Sequence, residues 1–423
     1  MGTRSYFRGA LGITLAAVIP AGCSGLQPPI GAPGAMPQGS AFLPRADSTG
    51  YKVVYSFGGS PDGAGPMASL IDVDNLLYGT TTTGGAYYCI SSDVGCGTIF
   101  SVTPGGTEKV LHNFGRNPDG NLPAAGLIDV NGMLYGTTLA GGSHYCRSLE
   151  TNCGTVFSIT TDGAEEVVHS FRGGPHDGSA PVAPLLDVNG TLYGTTEYGG
   201  KYCLAHSEGG CGTVFKITAD GAERILHNFA GSPDGASPQG GLVEVNGTLY
   251  GTTDSAGANG GGTVFSITLG GVEKVLHSFG PYPDGADGSY PVGGLVEIHG
   301  KLYGATANGG KHHAHGVVFS ITMGGLEKVL HSFSGSDGAF PEAGLVDVGG
   351  TLYGTASAGG AYNGQGTVFS LTTAGVETVL HNFGKGTDGS GPAAALYYAG
   401  GKLFGTTSEG GVHGKGTVFS LTP

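Results

Sequence analysis

The sequence is poor in charged residues, and basic residues are the scarcer kind. Charged side chains make up 12% of the 423 residues, with 18 Lys plus Arg against 32 Asp plus Glu and a formal net charge of −14. Nucleic-acid binding needs clustered Lys and Arg to contact phosphates. The charge balance therefore argues against a nucleic-acid partner.

Long apolar runs and helical periodicity are also missing from most of the chain. After the first 23 residues, no segment approaches the roughly 20 apolar residues that a membrane helix needs. Outside that segment, apolar residues do not recur at i, i+3, i+4 and i+7. Glycine is abundant instead, at 86 residues. We therefore expect many tight turns and very little helix.

Residues 1–23 resemble an export signal. Arg4 and Arg8 form a positive region, and residues 9–19 are apolar but too short to span a bilayer. The stretch that ends at Cys23 resembles a bacterial lipobox, although Pro20 stands where such motifs usually carry Leu. We expect lipidation of Cys23, with ordinary cleavage before it as the alternative.

A tether and a set of paired cysteines follow the signal. Residues 24–50 are rich in Pro, Gly and Ala and aperiodic, which predicts a flexible tether before a body at 51–423. Without Cys23, six cysteines remain, and they occur as local pairs. In an exported chain these predict three disulfides, although six cysteines allow fifteen connectivities. The pairs are Cys89 and Cys96, Cys146 and Cys153, and Cys203 and Cys211.

From Tyr51 onward one unit repeats seven times. Each unit contains four short runs of the types LVDV, LYGTT, TVFSIT and EKVLHSF, rich in β-branched and aromatic residues and bounded by Gly, Asn and Asp. Asn-Gly pairs between the first two runs predict type I′ hairpins. Four-stranded antiparallel units at a period near 50 residues are typical of propeller blades.

The two ends of the repeat array complement each other. The body begins with an EKVLHSF-type strand and ends with a TVFS strand, so that the last unit lacks its fourth strand. Pairing the N-terminal strand with the last unit would close the ring and remove both sheet edges. The sequence therefore predicts an all-β fold, a seven-bladed β-propeller of four-stranded antiparallel blades.

The tandem unit LYGTTxxGG…GTVFSIT closely resembles the GloVer-type tandem repeats of bacterial surface proteins, over 51–423. More distantly, the apolar-Tyr strand followed by Gly-Gly resembles kelch repeats. The kelch Trp is absent, and the Phe of the HSF motif is expected to take its place in the core. The resemblance implies a propeller with surface anchorage and implies no particular reaction.

The loops between LYGTT and TVFS differ among the repeats. They have fifteen residues in the first three units (82–96, 139–153 and 197–211) and eight or nine in the other four. Each long loop holds a Tyr-Cys step and a second Cys, which predicts a rigid aromatic surface on one sector of one face. The alternative is that the disulfides merely stabilise long loops. The candidate ligand-binding residues are Tyr87, Tyr88, His144, Tyr145, Arg147, Tyr202 and His206.

Two recurrent polar residues are interpreted as structural. A His in each LHSF or LHNF strand lies on a separate blade, so we expect it to bond within its own blade. The Asp of the following Asp-Gly loop is expected to make an Asx-type turn. These loop residues are Asp62, Asp119, Asp177, Asp234, Asp284, Asp337 and Asp388.

Three further histidines lie close together in the fifth unit. His312, His313 and His315 form a candidate transition-metal site in an oxidising exterior. No other cofactor is expected.

The sequence predicts an exported, lipid-anchored, monomeric propeller of the cell envelope that binds protein or carbohydrate through the loop-rich face. The competing hypothesis is a polysaccharide lyase or hydrolase at the central funnel, which would need converging carboxylates. No complete catalytic set is visible, although the loops contain the acids Asp93, Glu150, Glu197, Glu208, Asp254 and Glu409. A purely structural envelope protein is the third hypothesis.

Overall fold

The computed structural model describes residues 50–89, 95–115, 118–146, 149, 151–203, 209–218, 221–312 and 315–423. Seven four-stranded antiparallel sheets are present in these ranges, and each follows the order first, second, third, fourth strand. First strands of neighbouring blades contact one another, which places them at the centre of the ring. The predicted propeller is confirmed.

The inner half of each blade is a short first strand and a longer second strand. The first strands are Ile71–Val73, Ile128–Val130, Leu186–Val188, Val243–Val245, Val296–Ile298, Val346–Val348 and Tyr397–Ala399. The second strands are Leu76–Thr81, Met133–Thr138, Thr191–Thr196, Thr248–Thr253, Lys301–Thr306, Thr351–Ala356 and Lys402–Thr407.

The outer half is the third and fourth strands. The third strands are Thr98–Val102, Thr155–Thr160, Thr213–Ile217, Thr263–Thr268, Val317–Thr322, Thr367–Thr372 and Thr417–Leu421. The fourth strands of blades 1 to 6 are Glu108–Asn113, Glu165–Ser170, Glu223–Asn228, Glu273–Ser278, Glu327–Ser332 and Glu377–Asn382, and blade 7 uses Lys52–Ser56.

Short elements decorate the loops. Four two-stranded ladders join Gly63–Ala64 to Thr83–Gly84, Gly120–Asn121 to Ala140–Gly141, Gly178–Ser179 to Tyr198–Gly199 and Gly389–Ser390 to Glu409–Gly410. A fifth joins Tyr145–Cys146 to Thr151–Asn152, and Gly174–His176 is a 3-10 turn. Within the described ranges, no helix has the length and apolar character required to cross a membrane.

The ring closes as the complementary ends predict. Lys52–Ser56 pairs antiparallel with Thr417–Leu421, with Lys52 opposite Ser420 and Ser56 opposite Thr417. The Thr406 hydroxyl of blade 7 also donates a hydrogen bond of 3.1 Å to the carbonyl of Ala68, which leads into blade 1. The chain thus joins its two ends through both backbone and side-chain bonds.

The hairpins between first and second strands have the predicted geometry. Asn131 and Gly132 have φ of 56° and 85°, and Asn189 and Gly190 have 55° and 80°. Positive φ at both central residues defines a type I′ turn, which matches the right-handed twist of the flanking strands. The Asn-Gly prediction is therefore confirmed.

Phenylalanine fills the interfaces between blades. The Phe of each HSF or HNF motif is at most 1% exposed and packs edge-on against the third-strand Phe of the next blade, as Phe114 does with Phe157 at a centroid distance of 5.3 Å. The same pairing closes the ring between Phe57 and Phe100, at 5.0 Å. Edge-to-face aromatic pairs at this spacing are favourable, and the predicted core role of this Phe is confirmed.

A β-bulge in the fourth strand turns its two ends to opposite neighbours. In blade 1, Val110 pairs with Phe100 and His112 with Ile99, which leaves Leu111 as the extra residue. Without the bulge, Glu108 and His112 would share one face. With it, Glu108 faces the preceding blade and His112 faces the following one.

The predictions for residues 1–23 and for nearly all of the tether lie outside the described residues. Lipidation of Cys23 lies there as well, and so does the boundary at residue 23.

Candidate functional site

One face of the propeller carries both the long loops and the inter-blade loops. In blade 1, Gly63–Ala64 of the inter-blade loop pairs with Thr83–Gly84 of the loop between the second and third strands. Blades 2, 3 and 7 repeat this ladder. We call the sector of this face formed by the three long loops of blades 1 to 3 the stapled face.

Disulfides close each of the three long loops. Cys89 bonds to Cys96, Cys146 to Cys153 and Cys203 to Cys211, with Cα–Cα distances of 5.3, 5.1 and 5.5 Å. The local pairing predicted from the spacing is confirmed. Each bridge ties an exposed loop to the buried start of a third strand, since Cys96, Cys153 and Cys211 belong to the core.

The tyrosines next to these bridges point into solvent. Tyr88 is 65% exposed, Tyr145 62%, Tyr87 47% and Tyr202 43%. A tyrosine ring left in water beside a covalent bridge offers apolar area that is ordered in advance, which lowers the entropy cost of binding. The structure therefore has the exposed aromatic residues that a binding surface needs.

Two polar residues are tied to this surface. The Arg172 Nε–H donates to His144 Nε2 across 3.3 Å, which joins the long loop of blade 2 to the following inter-blade loop. The Lys201 ammonium lies 5.6 Å from the Tyr202 ring centroid, within cation–π range. Arg147 and His206 lie outside the described residues.

A pair of carboxylates lies beside the stapled face. Glu197 and Asp254 occupy the same position in blades 3 and 4, directly after the second strand. Burial raises the pKa of Glu197 to about 7, and a hydrogen bond from Tyr198 opposes this rise while the charge of Asp254 adds to it. Burial also raises the pKa of Asp254 to about 6. Gln239 Nε2 donates to Glu197 Oε1 at 3.2 Å.

Among the other loop acids, only Glu409 belongs to the described residues. Glu409 is exposed, and Asp93, Glu150 and Glu208 lie outside the described residues. Of the described loop acids, Glu197 and Asp254 are the two that interact.

Five of the six recurrent His residues hydrogen-bond within their own blade, as predicted, whereas His169 Nε2 lies 3.6 Å from Asp177 Oδ2 and makes only an ion-pair contact. His112 Nε2 lies 3.2 Å from Asp119 Oδ2, and Tyr55 takes the same role with Asp62 at 3.0 Å. The Asp also accepts backbone N–H groups, as Asp119 does from Gly115 and Gly120. In the longer loop after blade 4, Asp287 rather than Asp284 lies beside the His, with His277 Nε2 3.0 Å from Asp287 Oδ2.

A third residue from the next blade completes these pairs. The bulge directs the first Glu of each fourth strand toward the preceding blade, so that Glu165 of blade 2 approaches His112 and Asp119 of blade 1. Burial, followed by the charge of Asp119, raises the pKa of Glu165 to about 7, while His112 opposes the rise. We call these sets inter-blade triads.

Four inter-blade triads hold their donor atoms within 4.8 Å of one another. They are His112–Asp119–Glu165, His169–Asp177–Glu223, His227–Asp234–Glu273 and His331–Asp337–Glu377. Sequence reasoning missed them because strict alternation places Glu and His of one strand on the same face. The available signal was the recurrence of Glu four residues before each His.

The histidine site of blade 5 stays a prediction. His312 is exposed and His315 is half-buried, whereas His313 lies outside the described residues.

The fold and the site define the class of this protein as a disulfide-bonded seven-bladed propeller with an aromatic loop face. The model of the Gloeobacter/Verrucomicrobia repeat matches residues 32–207 and 146–365. The chain belongs to this repeat family, as the tandem signature indicates.

Solved structures show the same kind of fold at low identity. The quinohemoprotein alcohol dehydrogenase of Comamonas testosteroni is 11% identical with a TM-score of 0.50, and the match covers 89% of this chain and 78% of that one. A gluconolactonase of Xanthomonas campestris is 15% identical with a TM-score of 0.38, over 69% of this chain and 90% of that one. The first similarity shows the fold alone. Curated proteins gave no sequence match.

Proposed function

We propose that this protein is an exported propeller that binds a carbohydrate or protein ligand through the stapled face. The observation that carries the proposal is the set of four exposed tyrosines on three adjacent loops, each closed by a disulfide. Tyrosine combines an apolar ring with a hydroxyl group and has few torsions to freeze, so it suits contact with sugar rings or with a protein surface.

The disulfides also support a location outside the reducing cytoplasm. Three disulfides in one chain are typical of oxidising compartments. Together with the lipobox-like segment that ends at Cys23, this supports a protein held at the cell envelope by a lipid. In that position the stapled face would meet envelope polymers or surface proteins.

A second candidate function is hydrolysis or elimination on a polysaccharide bound to the same face. Glu197 and Asp254 favour it, because burial raises the pKa of both carboxyl groups toward neutrality and the charge of Asp254 adds to the rise at Glu197. General acid and base groups work best when their pKa values lie near the operating pH.

The test compares two matched triple variants of residues 48–423 on a glycan array and in an envelope pull-down. Tyr88/Tyr145/Tyr202→Ala removes the aromatic groups of the stapled face. Val272/Leu326/Val376→Ala removes three similarly exposed side chains from hairpin turns between third and fourth strands, at the opposite end of the blades. We expect binding to fall at least tenfold in the first variant and to persist in the second.

Incubation of any glycan that binds then separates binding from catalysis. Release of reducing ends or of unsaturated sugars that stops in Glu197→Gln supports the second candidate, whereas an intact glycan supports binding alone. Binding that survives the tyrosine substitutions contradicts the stapled face as the site. A protein that binds neither glycans nor envelope proteins would favour the structural hypothesis.

A further inference from the structure

The inter-blade triads combine three donor atoms of types that bind metals. Each brings one imidazole nitrogen and two carboxylate oxygens within 4.8 Å, from two different blades. The same set occurs at four interfaces, because the bulge and the loop Asp repeat with the sequence. Because the three donor atoms come together at equivalent positions of four interfaces, their arrangement is a property of the repeated unit.

The donors of these triads are incompletely satisfied. Oε1 of the first Glu of the fourth strand is shielded from solvent without a hydrogen-bond partner in all six blades that have this Glu, and only the four triads also place an imidazole nitrogen and a second carboxylate oxygen within 4.8 Å of it. The six are Glu108, Glu165, Glu223, Glu273, Glu327 and Glu377. In each triad this oxygen belongs to a carboxyl group that faces a second carboxylate, and no member carries a fixed positive charge. A carboxyl oxygen left unpaired in this way can be satisfied by a proton or by a cation, and the adjacent imidazole and carboxylate supply the further ligands that a cation needs.

Solvent reaches one of the triads through a cleft. A cavity of about 420 Å³ at the interface of blades 3 and 4 is lined by His227, Asp234 and Glu273, together with Pro233, Ala258 and Val275. Three protein ligands in a cavity of this size leave room for water molecules to complete the coordination of an ion. The cleft therefore offers both an entry path and open coordination positions.

The His–Asp separations suit ions with short bonds. At tetrahedral metal–ligand distances of roughly 2.0–2.2 Å, neighbouring ligand atoms are about 3.3–3.6 Å apart, so an ion that replaces the proton of the His–Asp hydrogen bond requires shifts of only a few tenths of an ångström. The His Nε2 to Asp Oδ2 distances are 3.2, 3.6, 3.1 and 3.0 Å in the four triads. One imidazole with two carboxylates favours Zn²⁺ or a similar first-row ion over Ca²⁺, which takes six to eight oxygens.

We propose that the four inter-blade triads bind divalent transition-metal ions of the Zn²⁺ type, one per triad, and so link neighbouring blades. These four proposed sites are separate from the three long loops of the stapled face and from His312, His313 and His315.

The chain contains its own controls for this proposal. At the interface of blades 6 and 7, Tyr51 replaces the Glu and stacks on His381 at a centroid distance of 3.7 Å. At the interface of blades 7 and 1, Tyr55 replaces the His beside Glu108. At the interface of blades 4 and 5, the corresponding His277, Asp287 and Glu327 do not bring all three donors within the same distance. The expected stoichiometry is therefore four ions.

The test uses the full chain without an affinity tag, with His312, His313 and His315 replaced by Ala to remove the competing histidines. Metal is stripped with EDTA, ZnCl₂ is titrated by calorimetry, and bound zinc is counted by mass spectrometry after gel filtration. We expect about four ions per chain. Glu273→Gln should lose one ion, or weaken one site at least tenfold, whereas the matched Glu108→Gln should retain all four.

The Glu→Gln substitutions keep side-chain size, and far-UV circular dichroism confirms that each variant is folded. Fewer than one bound ion per chain overturns the proposal. So does an equal loss of zinc from Glu273→Gln and Glu108→Gln, since that result would place the ions elsewhere.

Discussion

The glycine of each LYGTT motif has a steric role. In blade 5, Gly304 pairs with Phe319 across the second and third strands. A Cβ atom on Gly304 would lie 2.7 Å from Leu295 Cδ2 and 2.8 Å from Phe319 Cζ. The missing side chain therefore allows the third-strand Phe to lie flat over the second strand.

Gly304→Ala should destabilise the protein by about 1–3 kcal/mol, the usual cost of adding a methyl group to a filled core. Gly324→Ala is the matched control, because its Cβ would have its nearest neighbour at 3.8 Å and Gly324 does not have positive φ. Thermal unfolding followed by circular dichroism measures both, as the chain has no Trp to report by fluorescence. Equal melting temperatures for the two variants would contradict the steric role.

The role of a residue could be predicted from the sequence where a single motif determines it. It could not be predicted where the role depends on a contact between two blades. Bonding of the His within its own blade follows from a single strand and its loop, and the sequence predicted it, although it did not identify the loop Asp as the partner. Asp287 rather than Asp284 pairs with His277, because the loop after blade 4 contains two Asp-Gly steps and local sequence does not rank them. Glu197 and Asp254 required the structure, since their interaction depends on the placement of neighbouring blades.

The long loops are the elements that distinguish this chain from a uniform repeat. The loop of blade 2 forms its own small hairpin, Tyr145–Cys146 with Thr151–Asn152, which the bridge between Cys146 and Cys153 closes. The bridge spans only a few residues, so its effect is mainly on the loop itself.

Cys146/Cys153→Ala should lower stability by at most about 2.5 kcal/mol, the chain-entropy value for a loop of about eight residues. Proteolysis of that loop should accelerate much more than global unfolding, because neither Cys146 nor Cys153 belongs to the hydrogen-bonded ladders of the four-stranded blade. Limited proteolysis with mass mapping, beside guanidinium denaturation, measures both effects. An unchanged cleavage rate would mean that the bridge does not hold the loop.

At the level of elements, the sequence predicted strands, hairpins and bridges because each has a local signature. The bulge was not predicted, since the EKVLHSF run has no Gly to mark it and two adjacent apolar residues do not by themselves indicate an extra residue in the strand. The register with the third strand, set by Phe100 opposite Val110, is what requires the extra residue. The pairing joins residues from two strands, and the packing of Phe100 against its neighbours helps to determine it. A single strand sequence therefore does not reveal it.

The whole ring depends on one non-local pairing. Lys52–Ser56 covers the edge of Thr417–Leu421, and Phe57, fully buried, packs against Phe100 of blade 1. The number of blades and the mode of closure were predictable because the two ends of the repeat array are complementary. The relative placement of loops around the ring was not, since it depends on how seven interfaces pack.

Removal of residues 1–57 should cost more than about 4 kcal/mol, since loss of one buried Phe alone costs 3–5 kcal/mol. The uncovered strand edge should also promote association. The control lacks residues 1–49 and keeps the closing strand. Gel filtration with light scattering and thermal unfolding compare the two, and a monomeric, equally stable protein without residues 1–57 would contradict closure as a stability determinant.

The closing strand also determines how the protein responds to mechanical load. Because Lys52–Ser56 comes first in the folded body, a pull on the preceding chain is transmitted to its ladder with Thr417–Leu421 before any other blade. Force on a membrane-held molecule would therefore detach this strand first and open the ring at blade 7. The other six blades, each continuous in sequence, would yield only afterward.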